Sequence, residues 1–408
     1  MKSDVYYTDP TARAGRSLLD KLSDLFDRAG GPAIFQKGDT VGIKVHFGEE
    51  GNTSYLNPSF ARLLVKKLTE VGAKPFLFDT NTLYRAERHE SAAHLAVARR
   101  HGFTEENIGA PIVIADEYEE IDGKGSDSVR VMIARAVREA DAILVITHAT
   151  GHILFGYAGA IKNVSMGFTS PVGKQIIHSD LKPEVNQKKC VGCGTCVQYC
   201  PAGAIVLIPA NGSGRARSAS MEVEQARPLQ GGEKSNLRAR IDKKKCVGCG
   251  ECITVCPAGA IPPLWKGEPG RIAEKSAAYA RSALSGKEGK VLFFNFLITV
   301  APDCDCCDWS EPPFVPDLGI LASGDILAAD QASVDLIQKA PLLPGCSAVK
   351  KKVKISRRVP PGINSQYNCL PRLRDKFKTL FGVDIEFFLA AAEKGGLGSR
   401  AYRLKKIS

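Results

Sequence analysis

The chain has 408 residues, of which 44% are hydrophobic, and a formal net charge of +11. A chain of that size and composition buries a large core, and two or three domains are expected. Its longest apolar run, 291–301, is broken by Asn295 and is too short to cross a bilayer, so no membrane span is expected.

The opening MKSDVYYTDP is polar and lacks an apolar targeting core, which makes the expected location cytoplasmic. The charge is uneven. Residues 350–408 carry fifteen Lys or Arg against four Asp or Glu, which equals the excess of the whole chain. Such a basic extension suits an acidic redox partner, and its bland alternative is a solvated basic surface. No helix-turn-helix, zinc finger or RNA-binding module accompanies it, so no nucleic acid is expected.

In chain order, VGIKVHF (41–47) is the first strand candidate. A helix follows over 57–71. Asn57 caps it, Pro58 takes its first position, Leu63, Leu64, Leu68 and Val71 share one face, and Gly72 closes it. Then come strands PFLFD (75–79) and APIVIA (110–115), a helix near 128–140, and strand AILVITH (142–148). After a long interruption the last strand is VLFFNFLITV (291–300). Strands alternating with helices, joined by right-handed crossovers, predict an α/β fold with a mostly parallel sheet flanked by helices.

The interruption repeats itself. KKCVGCGTCVQYCPAGAI (188–205) and KKCVGCGECITVCPAGAI (244–261) each have the spacing C-x2-C-x2-C-x3-C-P of bacterial two-cluster ferredoxins. In that arrangement the fourth cysteine of each run serves the other cluster. One [4Fe–4S] cluster is therefore expected on Cys190, Cys193, Cys196 and Cys256, and a second on Cys246, Cys249, Cys252 and Cys200. Zinc knuckles use a distant second pair, which does not match four cysteines in eleven residues. The stretch 209–236, rich in Gly, Ser, Arg and Gln, reads as a flexible excursion. The predicted layout is an α/β domain over 1–183, a small α+β ferredoxin-like module over 184–264, the α/β domain again over 265–340, and a basic C-terminal extension over 341–408.

Thirteen cysteines less these eight leave Cys304, Cys306, Cys307, Cys346 and Cys369. The last two stand alone, as small buried residues do. The APDCDCC group follows the end of the last strand. In an open parallel sheet the C-terminal strand ends share one edge, where ligands bind. That edge should collect His46, Glu49 and Asn52 after the first strand, Asp79, Asn81 and Arg85 after the second, and His148, His152, Lys162 and Asn163 after AILVITH. His46, Glu49, Asp79, Asn81, His148, His152, Lys162 and Asn163 are the candidate catalytic residues. Cys304 and Cys306 are candidate ligands of an additional metal, or a redox dithiol.

The stretches KVHFGEEGN, DTNTLYR, GAIKNVSMGF, GKQIIHSD and CDC…VPDLGILASGDILAADQASVDL, strung in this order, resemble the uncharacterised Fe–S center proteins of the DUF362 type over roughly residues 1–340. The resemblance implies an α/β domain with a two-cluster ferredoxin module inserted near its middle. The chain departs from the pattern at HATGH (148–152), where Thr150 stands in place of a lysine, and at LYRAER, where Ala86 stands in place of a glycine.

The function expected first is an iron–sulfur oxidoreductase, relaying electrons between two clusters and a small-molecule substrate or metal at the sheet edge. There Lys162 would hold an anionic group, and His148, His152 or His178 would move protons. The alternatives are an electron carrier or electron-transfer subunit without its own catalytic site, and a metal- or cluster-handling protein. No strand is followed by GxGxxG, so a Rossmann-type nicotinamide or FAD site is not expected; a flavin bound in another way stays open.

Overall fold

AILVITH forms strand β7 (Ala142–His148), and every residue in it is buried. An unbroken apolar strand of this kind belongs at the centre of a sheet covered on both faces. The computed structural model describes residues 2–84, 86–123, 130–178, 182–200, 202–210, 236–246, 248, 250–262, 268–346, 349–350 and 373–407.

The other strands are β1 (Ser3–Thr8), β2 (Thr40–Lys44), β3 (Lys74–Asp79), β4 (Ile112–Ile114), β5 (Tyr118–Asp122), β6 (Arg130–Ala134), β8 (Thr150–His152), β9 (Gly156–Ala158), β10 (Ile205–Pro209), β11 (Leu237–Ile241), β12 (Val291–Leu297), β13 (Gly319–Ser323) and β14 (Tyr402–Lys406). Eight of them make one sheet in the order β14-β1-β13-β12-β7-β2-β3-β4. Only β13 runs against the others, so the sheet is mostly parallel, as expected. The C-terminal ends of β2, β3, β7 and β12 therefore lie on one edge.

Alternate residues of the central strands feed two cores. Ile143, Val145 and Phe293 join one with the helices Ala160–Gly167, Pro269–Leu284 and Ile326–Lys339. Leu144, Ile146 and Phe294 join the other with the helices Leu18–Arg28 and Pro58–Glu70. The predicted helix over 57–71 is present as Pro58–Glu70. The Asn57 side chain accepts the Ser59 N–H at 2.9 Å, and Ala61, Leu64, Val65 and Leu68 are buried.

Three expectations change. The helix expected near 128–140 is instead β6, paired antiparallel with β5, followed by the short helix Arg135–Glu139. Val131 and Ile133 alternate inward there, and a short apolar run does not distinguish the two periods. The last strand ends at Leu297 rather than at residue 300. Beyond it Thr299 has φ +50°, the one non-glycine with positive φ among the described residues. The third change is at the C-terminus. The helices Lys376–Phe381 and Glu386–Lys394 bury Phe377, Leu380, Phe388 and Leu389 in the first core, and β14 is an edge strand of the main sheet. Several of its charges are paired: Arg403 and Lys405 with Asp4, and Lys406 with Asp9. Lysine and arginine on an edge strand also guard it against pairing with another chain.

Between the halves of the α/β domain, β10 and β11 pair antiparallel, with Pro209 opposite Leu237. The predicted excursion thus leaves and returns between neighbouring strand ends; residues 211–235 themselves lie outside the described set. This segment has its own small core of Ile205, Ala239, Ile253, Ala260 and Ile261 with four cysteines, joined by Leu83 from the loop after β3. Among the described residues no helix is long and apolar enough to cross a membrane.

Candidate functional site

Two sites separate, each built on sulfur. The first lies in the repeated segment. Cys190, Cys193 and Cys196 of the first motif and Cys256 of the second line one pocket, walled by Val185, Leu207 and Ile261. The two motifs thus contribute three thiols and one to its lining. Gly192 and Gly194, with φ near +73° and +78°, turn the backbone between these thiols as only glycine does readily. Backbone N–H groups point at sulfur: Ala239 donates to Cys190 at 3.4 Å, Ala260 to Cys256 at 3.2 Å and Ala204 to Cys200 at 3.2 Å. Burial and the neighbouring Cys256, Cys193 and Cys190 sulfurs push the Cys196 thiol up to about 12. Thiols sharing one cavity are the donor type that iron–sulfur clusters use. Of the second set, Cys200, Cys246 and Cys252 are described, and Cys249 lies outside the described residues.

The second site is at the sheet edge. A small cavity is lined by His46, Thr147, His148, Lys162, Asn163, Cys304, Asp305 and Cys306, among others. The CDCC loop is fastened there from three strands. Glu49 N–H donates to the Asp305 carbonyl at 2.9 Å, the Asn52 amide donates to the Cys307 and Trp309 carbonyls at 3.1 Å, and Tyr84 Oη donates to the Cys306 carbonyl at 2.8 Å. His148 Nδ1–H donates to the Asp305 carboxylate at 2.9 Å, and its Nε2–H donates to the Ile298 carbonyl at 2.9 Å. Burial opposes the His148 charge, but Asp305 and these hydrogen bonds outweigh it and raise the His148 pKa.

Cys306 Sγ stands between two donors. Lys162 Nζ is 3.4 Å away and His46 Nε2 is 3.7 Å away. His46 Nδ1 accepts the Gly48 N–H at 3.1 Å, which leaves the ring proton of the neutral imidazole on Nε2, facing sulfur. Burial and Arg88 lower the His46 pKa. A hydrogen bond with Cys304 and burial push the Cys306 thiol up to about 11, with Lys162 opposing them. Lys162 sits on the helix Ala160–Gly167, whose first turn is capped from outside. The buried Asp330 carboxylate accepts the Ala160 and Ile161 N–H groups at 2.8 and 2.9 Å. Burial lifts Asp330 to about 6. Among the described residues, no three of His, Cys, Asp or Glu gather around a single-ion position. At Cys306 the nearest cationic neighbour is an ammonium, which disfavours a metal ion beside it.

Beneath this cavity lies a buried charge network. Lys44 Nζ is 3.0 Å from Asp79 Oδ1, and Arg88 bridges Asp79 (3.6 Å) and Glu49 (3.2 Å). Lys44 also donates to Asn163 Oδ1 at 2.9 Å, which ties the network to the site helix. Burial opposes the Asp79 charge, yet Lys44, His46, His94 and Arg88 hold its carboxyl far below the usual range. Lys174 donates to Thr80 Oγ1, the Asn81 carbonyl and the Thr169 carbonyl at 2.8, 2.8 and 2.9 Å, although burial pushes it down to about 7. Three acceptors match the three donors of an ammonium.

Of the predicted edge residues, His46, His148, Lys162, Asn163, Cys304 and Cys306 line the cavity. Glu49 and Asp79 are instead locked in the ion network, and the Asn81 amide bonds Ser91 Oγ and accepts at His94 Nδ1. His152 turns into the first core: its Nδ1 accepts the Leu154 and Phe155 N–H groups, and its ring packs edge-on to Phe155. Arg85 and Cys369 lie outside the described residues. Residues not anticipated are Lys44, Arg88, Asp305 and Tyr84. A lysine inside the apolar run VGIKV was the visible sign of the first, since a charge in a central strand needs a buried partner.

The family model for a domain of unknown function, DUF362, matches residues 41–335. The chain belongs to the DUF362 family. Curated proteins similar to this DUF362 chain include the polyferredoxin protein MvhB of Methanothermus fervidus, 32% identical over 22% of this chain and 24% of that protein. One subunit of the H(2):CoB-CoM heterodisulfide,ferredoxin reductase of Methanothermobacter marburgensis is 30% identical over 31% and 16% of the two lengths. One subunit of the ion-translocating oxidoreductase complex of Methanosarcina acetivorans is 31% identical over 18% and 17%. The chain spans less than a quarter of the length of each of these relatives. Among solved structures, the lactate racemase apoprotein of Thermoanaerobacterium thermosaccharolyticum covers 84% of this chain and 58% of its own, at 11% identity and a TM-score of 0.37. At that score the likeness speaks to no detail of site or chemistry.

Proposed function

We propose that this DUF362 protein is an iron–sulfur oxidoreductase that exchanges electrons between two [4Fe–4S] clusters in the 184–264 segment and a substrate at the sheet-edge cavity. The observation that carries the reading is the division of the sulfurs. Cysteines from both motifs share one apolar cavity, while Cys304 and Cys306 line a separate polar one. The ferredoxin names among the relatives support the first half. When bound, such clusters supply one-electron transfer.

The chain's own residues have distinct parts in this reading. Cys190, Cys193, Cys196 and Cys256 hold one cluster, with Cys200, Cys246, Cys249 and Cys252 holding the other. Backbone N–H groups of Ala204, Ala239 and Ala260 stabilise negative charge on the ligating sulfurs. At the sheet edge Lys162 binds an anionic group of the substrate. Burial opposes its charge, but the adjacent Cys304 and Cys306 sulfurs and Asp305 outweigh that penalty and keep the ammonium protonated. His46, neutral and carrying its proton on Nε2, is placed to donate a hydrogen bond to a group beside Cys306. The His148–Asp305 pair holds the loop rather than reacting, since both ring nitrogens are engaged.

Anaerobically purified protein should contain about eight irons per chain. Iron near four, or zinc in its place, would overturn the assignment. A Lys162→Met variant should keep that iron and lose tight binding of anionic substrates; unchanged binding would remove Lys162 from the site.

A further inference from the structure

Gln175 lies on the helix Pro171–His178, which packs against the short helix Glu251–Thr254 of the second cysteine motif. Its side chain is wholly buried, yet neither amide atom has a hydrogen-bond partner among the described residues. An unsatisfied buried amide is costly, so folds rarely keep one without a use. Its neighbour is Gly250, in the loop between Cys246 and Cys252. A Cβ on Gly250 would stand 2.4 Å from Gln175 Cγ and 2.7 Å from its Cβ, and Gly250 also has φ +80°. The glycine thus lets the glutamine lie directly on the cluster loop. The preceding residue, Lys174, reaches the opposite way, to Thr80 and the Asn81 carbonyl at the end of β3. Two adjacent residues of one helix connect the second motif to the network under the sheet-edge cavity.

We propose that Gln175 donates a side-chain N–H hydrogen bond to the iron–sulfur cluster held by the second motif, so that a residue of the α/β domain sets that cluster's reduction potential. This rests on the two-cluster reading above. Rotation of the terminal amide exchanges its two atoms, and an anionic cluster would select the NH2 group. Hydrogen bonds to cluster sulfurs favour the more negative, reduced state and so raise the potential. Gln175 acts on one cluster and so splits two nearly identical motifs into unequal halves.

The test is an EPR-monitored redox titration of the full-length protein and of Gln175→Met and Gln175→Glu, with iron counted in every sample. Both variants should retain about eight irons. One midpoint should fall, further for the glutamate, while the other stays in place. Unchanged midpoints at full iron content overturn the proposal and leave the two-cluster reading intact. Iron well below eight in the unaltered protein defeats that reading itself. Should both variants lose iron, the unaltered protein labelled with 15N on glutamine side chains decides. Its reduced signal should carry a 15N hyperfine coupling, and absence of any such coupling overturns the proposal.

Discussion

The two sulfur sites of this chain use one residue type in opposite ways. Around Cys190, Cys193, Cys196 and Cys256 the walls are apolar, and the hydrogen-bonding partners are neutral: backbone N–H groups at Cys190 and Cys256 and the Thr195 hydroxyl at Cys193. Around Cys304 and Cys306 stand an ammonium, two imidazoles and a carboxylate. In the first site the described partners of the sulfurs are neutral N–H and hydroxyl groups. In the second, Lys162 supplies a cation, and the sulfur it contacts is left beside hydrogen-bond donors. The surroundings of a thiol, more than its sequence spacing, decide whether it holds a cofactor or faces a substrate.

The severest break is at the first site. Changing Cys190 or Cys256 to Ala should each lower iron from about eight to about four and abolish the same EPR signal. Loss of different signals would mean that the motifs do not exchange their fourth cysteines. The next breaks the network under the second site. Lys44→Met leaves the buried Asp79 carboxylate without its nearest partner and should cost about 3–5 kcal/mol in denaturant unfolding. A cost below 1 kcal/mol would show that Arg88 alone balances that charge. Smaller still is Gly167→Ala. The new Cβ would stand 2.1 Å from Lys44 Cε, and a loss of about 1–3 kcal/mol is expected with iron content unchanged.

The mildest effect is one of pH, and it touches only the second site. Burial opposes the Asp305 charge, but His148, His46 and Lys162 outweigh it and hold the carboxyl below its ordinary pKa. Its contribution is therefore present above about pH 4 and lost as pH falls further. His148 is raised, so its contribution is complete below about pH 6.5 and lost as pH rises through the raised value. The stability gap between the unaltered protein and Asp305→Asn should therefore be widest between these limits and narrow in alkali. A gap that widens from pH 7 to 9 in thermal melts would contradict the assignment of the His148 charge.

Much of this was legible in the sequence because the signals were local. The doubled cysteine spacing marked the first cavity, and the strand ends after VGIKVHF, AILVITH and VLFFNFLITV brought His46, His148, Lys162 and Cys306 together. What was not legible depends on tertiary partners. Glu49 and Asp79 looked like site residues because they follow strands, yet Arg88, thirty-nine positions beyond Glu49 in the chain, claims them both. His152 follows β7 closely, but the turn between β8 and β9 rolls it into the core against Phe155. The C-terminal segment looked like an appended basic tail. Its charges concealed β14, whose place is fixed by pairing with β1 at the other end of the chain.

The division of roles between the two sulfur sites requires that they be independent. The decisive test is EPR spectroscopy with iron analysis on the anaerobically purified Cys304→Ser/Cys306→Ser protein. Independent sites require about eight irons and both reduced-cluster signals unchanged from the unaltered protein. Loss of one signal, together with about four irons, would show that the CDCC loop supplies a cluster ligand and that the two sites are not independent.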